Sequence, residues 1–249
     1  MSSSNTSGIV NYFGTCLVDM CYPEYGMAGI KLLRREGLDV VYPEDQSCCG
    51  QPAYNSGYMD QTRKVALHQV EVFKDNEHPI IVPSGSCAAM MRYHYPRLFE
   101  GRPEYGMVCR FSKRIHELTQ YLNATLKVQY EDKGAPKRVT WHSSCHAERE
   151  MHCVEDSKAL LEQLENVTLV PLENEHECCG FGGTFSVKEP ELSEAMVRDK
   201  AMYIEKTGVD LFIVGDCGCL MNIAGHLKKK NSPVKGVHIA DFIWERING

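Results

Sequence analysis

Twelve cysteines are present, yet the chain contains no Cys-x-x-Cys pair. That absence removes the two-knuckle arrangement in which a single structural zinc is ordinarily held. No stretch approaches the roughly 18 consecutive apolar residues of a transmembrane helix. Long basic runs are also missing. Lys228-Lys229-Lys230 is short and the net charge is -6, which disfavours nucleic acid as a partner. The N-terminal stretch, residues 1–8, is Ser-rich and polar. It lacks the charged and apolar regions of a signal peptide and reads as a disordered tail, so a cytoplasmic location is expected. No Gly-x-Gly-x-x-Gly follows a strand, because the run from Gly180 breaks at Phe185. Phosphate loops, Gly-x-Ser-x-Gly elbows and His-Glu-x-x-His helices are absent too. Nothing therefore supports an intrinsic nicotinamide or flavin site.

With 249 residues, the chain buries its own core and does not need disulfides to fold. In a reducing compartment, cysteines in this number point to metal or redox chemistry.

Eight of the cysteines fall into one pattern written twice, with a ninth, Cys217, beside the second copy. The first copy is Cys16, then Cys48-Cys49-Gly50, then Cys87. The second is Cys145, then Cys178-Cys179-Gly180, then Cys217 and Cys219. Thirty-one residues separate Cys16 from Cys48, and 32 separate Cys145 from Cys178. Aligning Val82-Pro83-Ser84-Gly85-Ser86-Cys87 with Val214-Gly215-Asp216-Cys217-Gly218-Cys219 favours Cys219 over Cys217 as the counterpart of Cys87. Cys21, Cys109 and Cys153 stand outside the repeat and read as packing thiols.

The surroundings repeat as well, as a duplication requires. Short apolar strands precede Cys16 and Cys145, at residues 9–13 and 138–142. Helical segments follow at 23–36 and 155–165, then strands at 39–42 and 167–172. After each Cys-Cys-Gly triplet come helices at 59–74 and 191–206, then strands at 79–82 and 210–214. The second half adds a strand-helix pair, 234–238 and 240–247, where the first half has extra material. The expected fold is α/β, as two duplicated strand-helix units with parallel sheets. Domains are expected at 9–127 and 138–249, joined by a polar linker at 128–137 carrying Gly134 and Pro136.

On this topology each patterned cysteine lies just past the carboxyl end of a strand, where open α/β sheets bind ligands. Three strand-to-helix loops would gather each set into a pocket, and duplication would give two pockets. Adjacent cysteines such as Cys48-Cys49 diverge, which suits separate metals of one cluster better than one ion. An iron-sulfur cluster offers such metals and is held by thiolates. Two zinc sites, a disulfide framework and inert buried thiols are the alternatives. His142 and His146 bracket Cys145 and can donate hydrogen bonds to a thiolate or serve local packing.

The pattern resembles the Cys-Cys-Gly domain of iron-sulfur oxidoreductases, a family that includes the heterodisulfide reductases. It resembles the lactate utilization proteins of that family more closely still. The resemblance rests on residues 15–20, 48–57, 83–87, 178–187 and 216–223. It implies an iron-sulfur electron-transfer subunit in a system oxidising L-lactate to pyruvate, together with a ferredoxin-like B protein and a C protein. A small 2-hydroxy acid would be the substrate. It further implies one or two clusters, of 4Fe-4S type, with zinc as the alternative. The ligands would be Cys16, Cys48, Cys49 and Cys87 in one half, and Cys145, Cys178, Cys179 and Cys219 in the other, with Cys217 as a candidate fifth. In heterodisulfide reductase each such domain ends in Cys-x-x-Cys; here Ser84 and Asp216 stand in place of the first cysteine of that pair. Thiol-disulfide chemistry at a cluster, and a zinc-stapled scaffold docking partner proteins, are the rival functions.

Overall fold

A computed structural model describes residues 8–248. Apart from Gly8, the tail expected at 1–8 lies outside the described residues. Among the described residues, eight strands form two four-stranded sheets, both entirely parallel. The first contains β1 (Ile9–Tyr12), β2 (Asp39–Val41), β3 (Ile80–Val82) and β4 (Ile115–Glu117), in the order β2-β1-β3-β4. The second contains β5 (Lys137–His142), β6 (Val167–Val170), β7 (Leu211–Val214) and β8 (Lys235–His238), in the order β6-β5-β7-β8. The fold is thus α/β and duplicated strand for strand.

Sequence and position in the sheet agree. Ile80, Ile81 and Val82 are buried throughout, as a central parallel strand covered on both faces must be. Edge strand β2 alternates exposed and buried, so only Val40 faces the core. Helix Pro23–Arg35 opens with Pro23, whose missing N–H costs nothing there, and carries Arg34 and Arg35 in its last turn. Its buried stripe includes Ile30, Leu32 and Leu33. Fully burying each such side chain contributes about 1.5–3 kcal/mol.

One expectation is corrected here. The first half also has the fourth strand and its helix. They are β4 followed by Leu118–Gln120 and Tyr121–Thr125, matching β8 and helix Ile239–Asn248. Each of these last helices crosses to the other half. Ile239–Asn248 packs on Pro23–Arg35, and the segment after β4 packs on helix Val154–Glu162. One hydrophobic core consequently runs through both halves, from Val10 and Leu33 to Trp141 and Ile243, beside a smaller one around Phe212 and Ile223 in the second half. The segment 128–137 takes part in it. Val128 and Tyr130 are buried, and Asp132 is gripped by Arg246 through Nε at 2.8 Å and a second guanidinium nitrogen at 2.6 Å. Among the described residues, no helix is long and apolar enough to cross a membrane.

Candidate metal centre

The order β2-β1-β3-β4 reverses direction between β1 and β3, and β6-β5-β7-β8 does so between β5 and β7. Such switch points open a crevice outside the carboxyl ends of the strands. Cys16 opens the helix after β1, and Cys87 lies in the first turn of helix Gly85–Ala89 after β3. Cys145 follows β5, and Cys217 and Cys219 lie in the first turn of helix Cys217–Lys229 after β7. The two Cys-Cys-Gly triplets lie in the loops after β2 and β6, the first directly before helix Gln51–Asn55 and the second separated by four residues from helix Phe185–Lys188.

Each triplet glycine has a structural reason. Gly50 and Gly180 adopt φ of +83° and +80°, in the left-handed region that a side chain resists. The turn aims the glycine N–H back at the first cysteine of the triplet. Gly50 N–H donates to Cys48 Sγ at 3.4 Å, and Gly180 N–H to Cys178 Sγ at 3.4 Å. The second cysteines are anchored through their carbonyls. Tyr95 Oη donates to Cys49 O and Asn222 Nδ2 to Cys179 O, each at 2.8 Å. The loops are held from the following helices as well. Gln69 donates to Ser47 Oγ at 2.6 Å, while the buried Lys200 donates to Asn174 O at 2.6 Å and Glu175 O at 3.1 Å.

In the first half the thiols come in two close pairs. Cys16 Sγ is 3.6 Å from Cys48 Sγ, and Cys49 Sγ is 3.4 Å from Cys87 Sγ. Hydrogen bonds from Cys16 and Cys49, helped by the Gly50 N–H, hold Cys48 well below the usual thiol range against the opposing effect of burial. Cys145, Cys179 and the Gly180 N–H do the same for Cys178. Donation to Cys48 pushes Cys16 up, and burial adds to it; Cys145 is raised in the same way beside Cys178. In each half the neighbours thus favour ionisation of one thiol, and thiolate is the form that binds metal.

The two sets share one space rather than the two separate pockets that duplication alone suggests. A cavity of about 340 Å³ is lined by cysteines of both halves. The cause is the close approach of Gly85 to Ala147, where an added Cβ would lie 2.6 Å from the Ala147 Cβ. Asp216 bridges the halves. One carboxylate oxygen accepts from Ser84 Oγ at 2.9 Å and from Ser86 N–H at 3.1 Å, and the other accepts from Gly218 N–H at 3.1 Å. Ser84 and Asp216, each three residues before the last patterned cysteine of its half, are thus bonded to each other. At the rim Ser56 Oγ meets Thr184 Oγ1 at 2.9 Å. His146 bridges too, with Nδ1 3.4 Å from Cys145 Sγ and Nε2 3.2 Å from Gln51 Nε2.

Ser84 and Asp216 cap corresponding helices, and Cys87 and Cys219 each stand three residues after the cap. Cys219 is therefore the counterpart of Cys87. Cys217 occupies the place of Gly85 and lines the same cavity, its thiol pushed up by burial, by Asp216 and by Cys87. Cys153 is buried and donates to Ala147 O at 3.7 Å, away from this cavity, and Cys21 is exposed.

The donor spacing bears on which metal group fits. Four thiolates around one zinc, with Zn–S near 2.3 Å, lie about 3.8 Å apart along every edge. Among the described residues, no three cysteine sulfurs lie within 4.8 Å of one another; the one such trio is His142, Cys179 and Cys219. Close thiol pairs beside a buried histidine are a donor set suited to binding metal.

These features define a duplicated cysteine-rich protein, and a family model described as "Cysteine-rich domain", CCG, matches residues 10–92 and again 139–224. Lactate utilization protein A of Shouchella clausii is 46% identical over 237 residues, covering 94% of this chain and 98% of that protein. The protein of the same name from Geobacillus kaustophilus is 45% identical over 240 residues, covering 95% and 99%. The chain belongs to the lactate utilization protein A family. In fold it is similar to a hypothetical protein from Helicobacter pylori, with a TM-score of 0.71 at 10% identity, over 98% of this chain and 50% of that one.

Proposed function

We propose that the chain is an iron-sulfur electron-transfer subunit of a multi-protein system that oxidises L-lactate to pyruvate. The observation that carries this reading is the pair of four-cysteine sets facing one cavity, each with a thiolate stabilised by its own backbone N–H. The lactate role is supported by the names of relatives similar over nearly the full length. A bound iron-sulfur cluster would supply one-electron transfer. Cys16, Cys48, Cys49 and Cys87 would hold the first cluster, and Cys145, Cys178, Cys179 and Cys219 the second, both of 4Fe-4S type. Cys217 is a further thiol beside both sets.

The protein's own part is to orient and insulate these groups. Gly50 and Gly180 aim N–H groups at sulfur, a contact that raises the potential of a thiolate-bound cluster. Asp216 ties the two halves at the cavity, so the sets keep a fixed separation. A ferredoxin-like B protein and a C protein would be the partners, working on lactate or a similar small 2-hydroxy acid.

The test is lactate-dependent reduction. The anaerobically reconstituted chain is mixed with L-lactate, with and without B and C proteins, and visible cluster absorbance is followed. Bleaching that requires the partners is expected. Absence of bleaching with all components present would overturn the reading.

A further inference from the structure

His142 is the last residue of β5 and stands three residues before Cys145. At the same distance before Cys16 the first half has Phe13, which is buried in the apolar core. The duplicated fold thus asks only for a flat apolar ring at this position. A histidine there adds two polar nitrogens for which packing has no use.

His142 is 1% exposed, and among the described residues neither Nδ1 nor Nε2 has a hydrogen-bond partner. Leaving a buried polar group unsatisfied costs about 1–3 kcal/mol, and such groups in folded proteins call for a specific explanation. The surroundings supply one. A ring nitrogen of His142 forms a set with the sulfurs of Cys179 and Cys219 in which every pair lies within 4.8 Å, and all three residues are buried. Imidazole nitrogen is a common metal ligand.

We propose that His142 is a nitrogen ligand of the metal centre in the second half, beside Cys179 and Cys219 and in place of one of the four thiolates given to that centre above. The chain then carries one all-thiolate centre and one mixed histidine-cysteine centre. This assignment rests on the metal-binding reading proposed above. It also separates the two centres in function. Imidazole is a neutral donor and thiolate an anionic one, and histidine ligation raises the potential of iron-sulfur centres. The second centre is accordingly the more readily reduced of the two.

The test uses the full chain, reconstituted anaerobically with iron and sulfide, reduced with dithionite and read by electron-nuclear double resonance. A histidine nitrogen coupling is expected, and it changes pattern when the histidines carry 15N. His142→Phe, which copies the first half, loses the coupling and shifts the higher reduction step downward. His146→Leu, which copies Leu17, keeps the coupling. Iron uptake without a histidine coupling, or a coupling that is lost in His146→Leu, would overturn the assignment and leave the proposed function standing. No uptake of iron or sulfide by the unaltered chain would overturn both. Should His142→Phe fail to fold, the labelled unaltered chain and His146→Leu still decide the matter.

Discussion

Replacing Gly180 by alanine should damage the protein more than the same change at Gly50, although the two occupy equivalent turns. Both glycines have φ near +80°, at +80° and +83°, and alanine in the left-handed region costs about 1–2 kcal/mol. The surroundings separate them. A Cβ on Gly180 would lie 2.8 Å from the backbone oxygen of Ser193 and 3.0 Å from Met196 Cβ, in helix Pro190–Lys206. A Cβ on Gly50 would lie 3.2 Å from Val65 Cγ1, a side-chain tip. Overpacking against a helix backbone adds about 1–3 kcal/mol, whereas a side-chain tip yields by a few tenths of an ångström. Gly180→Ala is expected to cost about 2–5 kcal/mol and Gly50→Ala about 1–2 kcal/mol. For a chain of this size, each kcal/mol lowers Tm by about 2–4 °C. Thermal and urea unfolding of the metal-free variants, measured side by side, provide the assay. Gly180→Ala should also lower metal content, since the displaced turn takes its N–H away from Cys178. A Gly50→Ala variant as unstable as Gly180→Ala would refute the reasoning.

Two further changes probe the buried acids. Asp216→Asn leaves one oxygen where the carboxylate accepts three hydrogen bonds from Ser84, Ser86 and Gly218. Its NH2 then faces a backbone donor, and a loss of about 1–3 kcal/mol is expected in urea unfolding; a change within about 0.5 kcal/mol, typical of an ordinary surface substitution, would contradict the bridging role. Glu117 is wholly buried, and burial pushes its carboxyl from 4.5 up to about 7, against the hydrogen bonds from Thr119 and Gln120. The folded state therefore binds more protons than the unfolded one between those values. Stability from this group is present below pH 4.5 and is lost as pH rises to about 7. The loss is on the order of 3 kcal/mol. Glu117→Gln removes that slope, so urea unfolding at mildly acidic and mildly basic pH should show the wild type losing ground to the variant as pH rises. Parallel pH profiles would contradict the assignment.

Much of the architecture is legible in the sequence because the repeat is long and each strand is short, apolar and followed by a helix. Parallel sheets with cysteines at strand ends follow directly from that alternation. The fourth strand of the first half escapes notice because Ile115-His116-Glu117 is only three residues long and carries two polar side chains. Its pairing with β3, not its composition, makes it a strand. The shared cavity is hidden for a different reason. Periodicity describes each half, but their mutual orientation depends on helices packing across, such as Ile239–Asn248 on Pro23–Arg35. Ser84 and Asp216 look like two lost ligands in sequence, and only their 2.9 Å contact reveals a joint. The isolation of His142 is likewise invisible until the atoms around its ring are known.

The central claim is that the two cysteine sets hold iron-sulfur clusters. It is tested most directly by iron and acid-labile sulfide analysis of the anaerobically purified and reconstituted chain, compared with Cys49→Ser and Cys179→Ser. The account predicts that the unaltered chain takes up both elements and that each variant loses about half of them, through one site each. Uptake of neither element, or a colourless protein holding stoichiometric zinc, would contradict it.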